Sequence, residues 1–238
     1  MATTITDYTT LLSAISNHLH RTDLTAVIPD FVSFVEETAN NGDTELDIPP
    51  LRTGDQETIW TSASTVPAVC TANSNYVTLP SDYMEMRQLY VTNDAGIRQE
   101  LKRTSTIPML AADRVDVSNL PQWFFESAGQ LYLVPKPSQA FALHGIYYGK
   151  VAALSATNTT NWLLTKSPRL YLYGACMYAS PWLGTDNRIS IWAQGFKGAI
   201  NGLNKADKRK RFGNAILRTE LADSMSPGPY SIYAGLNL

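Results

Sequence analysis

Three histidines, two cysteines, one adjacent pair of glutamates and one run of basic residues are the groups in this 238-residue chain whose types and spacing could carry chemistry. His18 and His20 stand two apart in a helical segment and so point to different sides, while His144 falls in a strand-like run. None of them has an acidic or cysteine partner at ligand spacing, so metal binding is not supported. Cys70 and Cys176 are far apart, with neither a CxxC pair nor a zinc-type arrangement, which leaves no disulfide framework or ligand set to expect. Cys176 lies on an apolar helical stripe, where it reads as a small buried hydrophobe rather than a reactive thiolate. Glu36 and Glu37 are neighbours on a helix and cannot face each other as a general acid and base must. The sequence has no glycine-rich phosphate loop, HExxH or GxSxG nucleophile elbow. The expectation is a protein that is not an enzyme and has no catalytic residue, cofactor or metal.

The basic run Lys205, Lys208, Arg209, Lys210 and Arg211 stands at the end of a long helical pattern. Basic side chains in a last turn complement the negative end of the helix dipole and need no partner. A run of four consecutive cations equally fits contact with DNA phosphates in a channel or with an acidic partner surface. A formal net charge of -2 argues against a dedicated nucleic-acid binder. The N-terminus has no basic segment followed by an apolar run, and no stretch is long and apolar enough to span a bilayer, so neither export nor a membrane partner is expected.

The elements that would hold these residues follow from periodicity. Tyr8, Leu11, Leu12, Ile15 and Leu19 share one face of a helix that starts near Thr6 as cap and stops near Arg21. Leu24, Val27, Ile28, Phe31, Phe34 and Val35 form a second pattern whose regular part begins at Pro29, with Asn40, Asn41 and Gly42 as its stop. Residues 43–161 change to short β-prone runs, with strands expected at 76–79, 84–92, 97–103, 122–126, 130–134 and 140–150 and a short helix at 105–113. The runs at 122–126 and 130–134 suit a hairpin. Residues 154–161 read as a linker back to helical structure. Ser167 and Pro168 then open a helix carrying Leu172, Cys176, Ala179 and Leu183 on one face and closing at Gly184. Asp186 caps the next, in which Ile189, Trp192, Ala193, Phe196, Ile200 and Leu203 form a stripe.

That last helix also carries Gly195, Gly198 and Gly202 on a shared face. Each costs a helix about 0.8–1 kcal/mol relative to alanine, which points to close helix packing there. The aromatics gathered in 162–192 accompany aliphatic residues at helical spacing and read as packing residues rather than base-stacking ones. Residues 213–238 hold one short helical run, 214–223, followed by SMSPGPYSIYAGLNL, which has no period. Tyr230, Ile232, Tyr233 and Leu236 make that tail too apolar for a solvated terminus, so it docks either on a partner or back on its own domain. The fold class expected is α+β, a helical bundle from both ends of the chain with a β-rich insertion and an extended tail. The divisions are N-terminal helices at 1–42, the insertion at 43–161, a helical hairpin at 162–212 and the tail at 213–238.

This order of parts resembles the head-to-tail adaptors of tailed bacteriophages, the class that includes the tail tubular protein A type. The stretches that carry the likeness are IPDFVSFVEE, LPSDYMEMRQLYV, LYLVPKP and, most specifically, NWLLTKSPRLYLYGACMYASPWLGTDNRISIWAQGFKGAINGLNKADKRKR. The resemblance implies a structural subunit of the virion neck, assembled in the host cytoplasm into a ring, commonly dodecameric, under the portal protein. It implies a tail that reaches the portal through Pro227, Pro229, Tyr230, Ile232, Tyr233, Leu236 and Leu238. The insertion would meet tail, nozzle or neck proteins, and the basic cluster would face the DNA channel or the portal. The other reading is a DNA-binding or packaging accessory that uses residues 205–211.

Overall fold

The computed structural model describes residues 4–60, 68–70, 76–92, 96, 98–104, 121–137, 141–184 and 186–212. The chain opens with α1 (Tyr8–Leu19), whose cap is Asp7 and not Thr6. A carboxylate at this position reaches the third helical amide: Asp7 Oδ1 accepts from Thr10 N at 2.9 Å, while Thr10 Oγ1 accepts from Asp7 N at 3.0 Å. The Thr6 hydroxyl is instead drawn to Asp7 Oδ2 at 3.1 Å. The helix ends at His20, in the left-handed region at φ 55°. After turns at 22–27, α2 (Ile28–Asn41) takes Pro29 into its first turn, where a missing N–H costs nothing. Gly42 ends it at φ 77°, and a Cβ there would come within 2.8 Å of the Ile48 carbonyl and Pro50. That close approach turns the chain back along α2.

The middle of the chain builds two sheets. In the first, β1 (Glu57–Trp60) and β2 (Ala68–Cys70) both pair with β9 (Phe141–Gly149), which pairs on its other side with β4 (Tyr83–Thr92), and β4 with β5 (Arg98–Glu100), all antiparallel. In the second, β3 (Tyr76–Thr78), β8 (Gln130–Val134) and β7 (Trp123–Ser127) are antiparallel, and β6 (Lys102–Arg103) joins β7 in parallel. The run expected as one strand over 97–103 is thus two. Leu101 breaks it, burying its side chain and donating its N–H to the Leu89 carbonyl at 2.9 Å, so the residues on either side serve different sheets. The hairpin turn is shorter than expected: Ala128 and Gly129, at φ 51° and 74°, make a two-residue turn and Ser127 ends the strand. The helix expected over 105–113 lies outside the described residues, as does the one over 214–223. A second hydrophobic core, including Trp60, Leu89, Val91, Phe124, Leu131, Leu133 and Leu143, draws on both sheets.

Four helical segments follow. Asn161 caps α3 (Trp162–Lys166), a short helix ahead of the one expected to open at Ser167, by accepting from Leu164 N at 2.7 Å. Next come α4 (Pro168–Tyr178) and α5 (Ser180–Leu183), where one helix was expected. Pro181 has no N–H to give the Met177 carbonyl, so the regular bonding breaks at Ala179. Ser167 does not cap α4 with its side chain; its carbonyl takes the Leu170 N–H at 3.0 Å instead. Last is α6 (Arg188–Phe212), 25 residues long, with Asp186 accepting from Arg188 N at 2.8 Å. The first hydrophobic core joins α1, α2, α4 and α6 through residues such as Leu11, Ile15, Phe31, Val35, Tyr171, Trp192, Phe196 and Ile200, all buried. The chain is therefore α+β, with one apolar core among helices and another among strands.

Candidate functional site

The longest helix organises the surfaces at which this molecule can make contacts. Its apolar stripe, from Trp192 through Phe196 to Ile200, faces the helical core. A second face carries Lys197, Asn204, Asp207 and Arg211, spaced so that they line up along the helix. Each of them grips the strap of residues 47–57. Lys197 Nζ meets Asp47 Oδ2 at 2.6 Å, and Asn204 accepts from Arg52 N at 3.1 Å and donates to the Pro50 carbonyl at 3.0 Å. Asp207 Oδ1 accepts from Gly54 N at 2.8 Å. Arg211 pairs with Asp207 on its own helix and with Glu57 Oε1 at 2.5 Å on β1.

Tyr148 of β9 has two guanidinium groups over its ring, Arg211 with its carbon 6.0 Å from the ring centroid and Arg52 at 5.7 Å. Arg52 also donates to the carbonyls of Asn40 at 3.0 Å and Leu51 at 2.7 Å and pairs with Glu85 at 2.9 Å. The end of α6 is thereby fastened to the first sheet through charge and hydrogen bonds. This divides the basic run. Arg211 is turned inward, whereas Lys205, Lys208, Arg209 and Lys210 are exposed and have no ion pair among the described residues.

The glycines divide in the same way. A Cβ at Gly195 would come within 2.6 Å of the Tyr173 ring, whereas at Gly198 and Gly202 it would meet nothing within 4 Å. An equally close helix crossing in the core is at a glycine that periodicity did not single out. At Gly174 a Cβ would lie 2.6 Å from Val35 and 3.0 Å from Phe196, so α2, α4 and α6 meet at that point. The only hint of it in the sequence is a glycine in the middle of an otherwise well-formed helical run.

Two buried titratable groups, Glu36 and Tyr171, share a set of structural partners. Glu36, 6% exposed, accepts from Leu154 N at 2.9 Å and from the Tyr171 hydroxyl at 3.1 Å, and Asn161 donates to Tyr171 Oη at 2.7 Å. Burial holds the Glu36 carboxyl above the usual carboxylate range, and burial together with the nearby Glu36 raises the Tyr171 phenol. The Cys176 thiol is fully buried and pushed up to about 12, the opposite of what a nucleophile needs. His18 lies against Trp192 at 6.4 Å, His20 ends α1, and His144 stacks on Tyr90 at 5.0 Å, so the three are dispersed. No group of three His, Cys, Asp or Glu side chains suited to a metal ion occurs among the described residues. Among them too, no helix is long and apolar enough to cross a membrane. The tail positions Pro227, Pro229, Tyr230, Ile232, Tyr233, Leu236 and Leu238 lie outside the described residues.

A family model described as SU10 adaptor protein matches residues 6–219, nearly the whole chain. No curated protein matches it.

Proposed function

This chain belongs to the SU10 adaptor protein family, a family of phage head-to-tail adaptors, and from that premise we propose that it is a ring subunit of the virion neck, seated under the portal. The family role is structural and belongs to no enzyme class. An adaptor works with portal and tail proteins in the virion. The observation that carries the reading is the extent of the match, from α1 through the end of α6.

In this proposal the helices of both chain ends form the bundle that makes the ring body, commonly dodecameric, around the DNA channel. The β-rich insertion faces neighbouring tail, nozzle or neck proteins. Residues 213–238 form the portal-docking tail, with Tyr230, Ile232, Tyr233 and Leu236 as its apolar anchors. A closed ring uses a heterologous interface, so each subunit presents two different complementary surfaces. Deleting 213–238 tests the docking role. The truncated chain should melt as a folded protein yet fail to co-sediment with portal particles, and undiminished co-sedimentation contradicts the assignment.

The exposure of Lys205, Lys208, Arg209 and Lys210, which have no ion pair among the described residues, favours a second reading, contact with DNA phosphates. That reading expects binding to duplex DNA that weakens steeply with salt and disappears when Lys208, Arg209 and Lys210 become alanine. Salt-insensitive or absent binding removes it.

A further inference from the structure

A cavity of about 420 Å³ opens where the N-terminus of α4 meets the outer side of α6, lined by Lys166, Ser167, Pro168, Arg169, Gly202 and Leu203, with Ala199 beneath. Ser167 is 7% exposed, and its hydroxyl has no hydrogen-bond partner among the described residues. Arg169 is exposed and has no ion pair among them, and Lys166 pairs only with Asp55. The positive end of the α4 dipole adds to these two cations. The floor is different: Pro168, Ala199 and Leu203 are apolar, and the missing side chain at Gly202 keeps it open. Such a site takes a carboxylate together with an apolar side chain. A nucleic-acid phosphate would satisfy the rim and leave the floor empty.

The same chain presents a surface of that composition. Asp30, Phe34 and Glu37 fall at i, i+4 and i+7 on α2, so they share its outer face. All three are exposed, Phe34 at 41%, and neither carboxylate has an ion pair among the described residues. This strip cannot fill the cavity of its own subunit. Phe34 sits against Tyr178, ring centroids 5.7 Å apart, at the far end of the 11-residue α4 from Arg169. Nine residues at about 1.5 Å each put roughly 13 Å between Arg169 and Tyr178 along the helix. We infer that the cavity at the start of α4 receives the Asp30–Phe34–Glu37 strip of a second copy, the two together forming a heterologous contact between neighbouring subunits. The inference rests on the ring reading above and assigns its two complementary faces.

Charge reversal in the full-length chain tests it, with self-association followed by sedimentation velocity alone and on portal particles. Arg169→Glu, and separately Glu37→Arg, should weaken self-association at least tenfold, and the double variant should restore it. Arg169→Gln, a milder change at an exposed site, should give a smaller loss with an unchanged melting temperature. Assembly of Arg169→Glu at wild-type strength, or a double variant no better than either single one, overturns the assignment while leaving the ring reading intact. Wild-type chain that stays monomeric both alone and with portal overturns the ring reading as well. Loss of duplex-DNA affinity in Arg169→Glu with assembly unchanged identifies a phosphate as the occupant and also overturns the assignment.

Discussion

At the scale of single residues, glycine and buried carboxylate positions carry the most information. Gly174 has no room for a methyl group between Val35 and Phe196, so Gly174→Ala should destabilise the subunit by about 1–3 kcal/mol, an overpacking cost. Gly198 has open space around it, and Gly198→Ala should raise stability by about 1 kcal/mol through helix propensity alone. Urea unfolding of the two variants should move in opposite directions. Periodicity placed all three α6 glycines on one face but could not tell which face met a neighbour, because an alanine-sized gap is decided by the side chain opposite, here Tyr173. Glu36 makes a pH prediction. Its folded-state pKa is raised by burial, so the stability contributed by its neutral form is fully present below the ordinary carboxylate value and lost as pH rises through the elevated one. Glu36→Gln keeps an acceptor for Leu154 N and Tyr171 without that loss. The stability of wild type relative to the variant should therefore fall as pH rises above the ordinary carboxylate value, and a pH-independent difference contradicts the buried-charge account. Glu36 and Glu37, adjacent in sequence, part in the fold: Glu37 is exposed, whereas Glu36 turns into the core toward Leu154 and Tyr171, partners more than a hundred residues away that no local pattern reveals.

At the scale of elements, the helices were legible because their apolar stripes agree with their end signals, the stop at Gly42 and the cap at Asp186. The breaks were less so. Pro181 splits the expected helix by removing one donor, and Leu101 splits the expected strand by turning inward to Leu89. Strands β1 and β2 escaped notice because each is too short to show alternation and is held by pairing with β9, a partner about seventy or more residues away. The basic run was legible as charge but not as geometry. Arg211 differs from its neighbours only because the turn of α6 aims it at Glu57 and Asp207. Arg211→Ala would leave two largely buried carboxylates side by side without their cation, and should cost of order 3 kcal/mol. Hydrogen exchange should show the loss concentrated in residues 47–60 and the last turns of α6. Uniform loosening of the helical core instead would contradict a local joint.

At the scale of the whole molecule, one apolar core lies among helices, a second among strands, and the fastening described between them is largely polar: Arg52, Arg211 and Tyr148 together with the contacts of the 47–57 strap. A polar joint holds two bodies in register without requiring that either be deformed, which suits a structural adaptor. The family could be read from the sequence through the order of its parts and the stretches quoted above, and the structural adaptor role follows from the family. The subunit interface could not be read this way, since complementary faces such as the α2 strip and the α4 cavity become visible only when side chains are placed. The most direct measurement of the central claim is cryo-electron microscopy of the mature virion at the capsid–tail junction. The account predicts a closed ring of this chain beneath the portal, surrounding the DNA path, with residues 213–238 lying against portal subunits. Finding the chain elsewhere in the particle, or at the neck without ring symmetry, would contradict it.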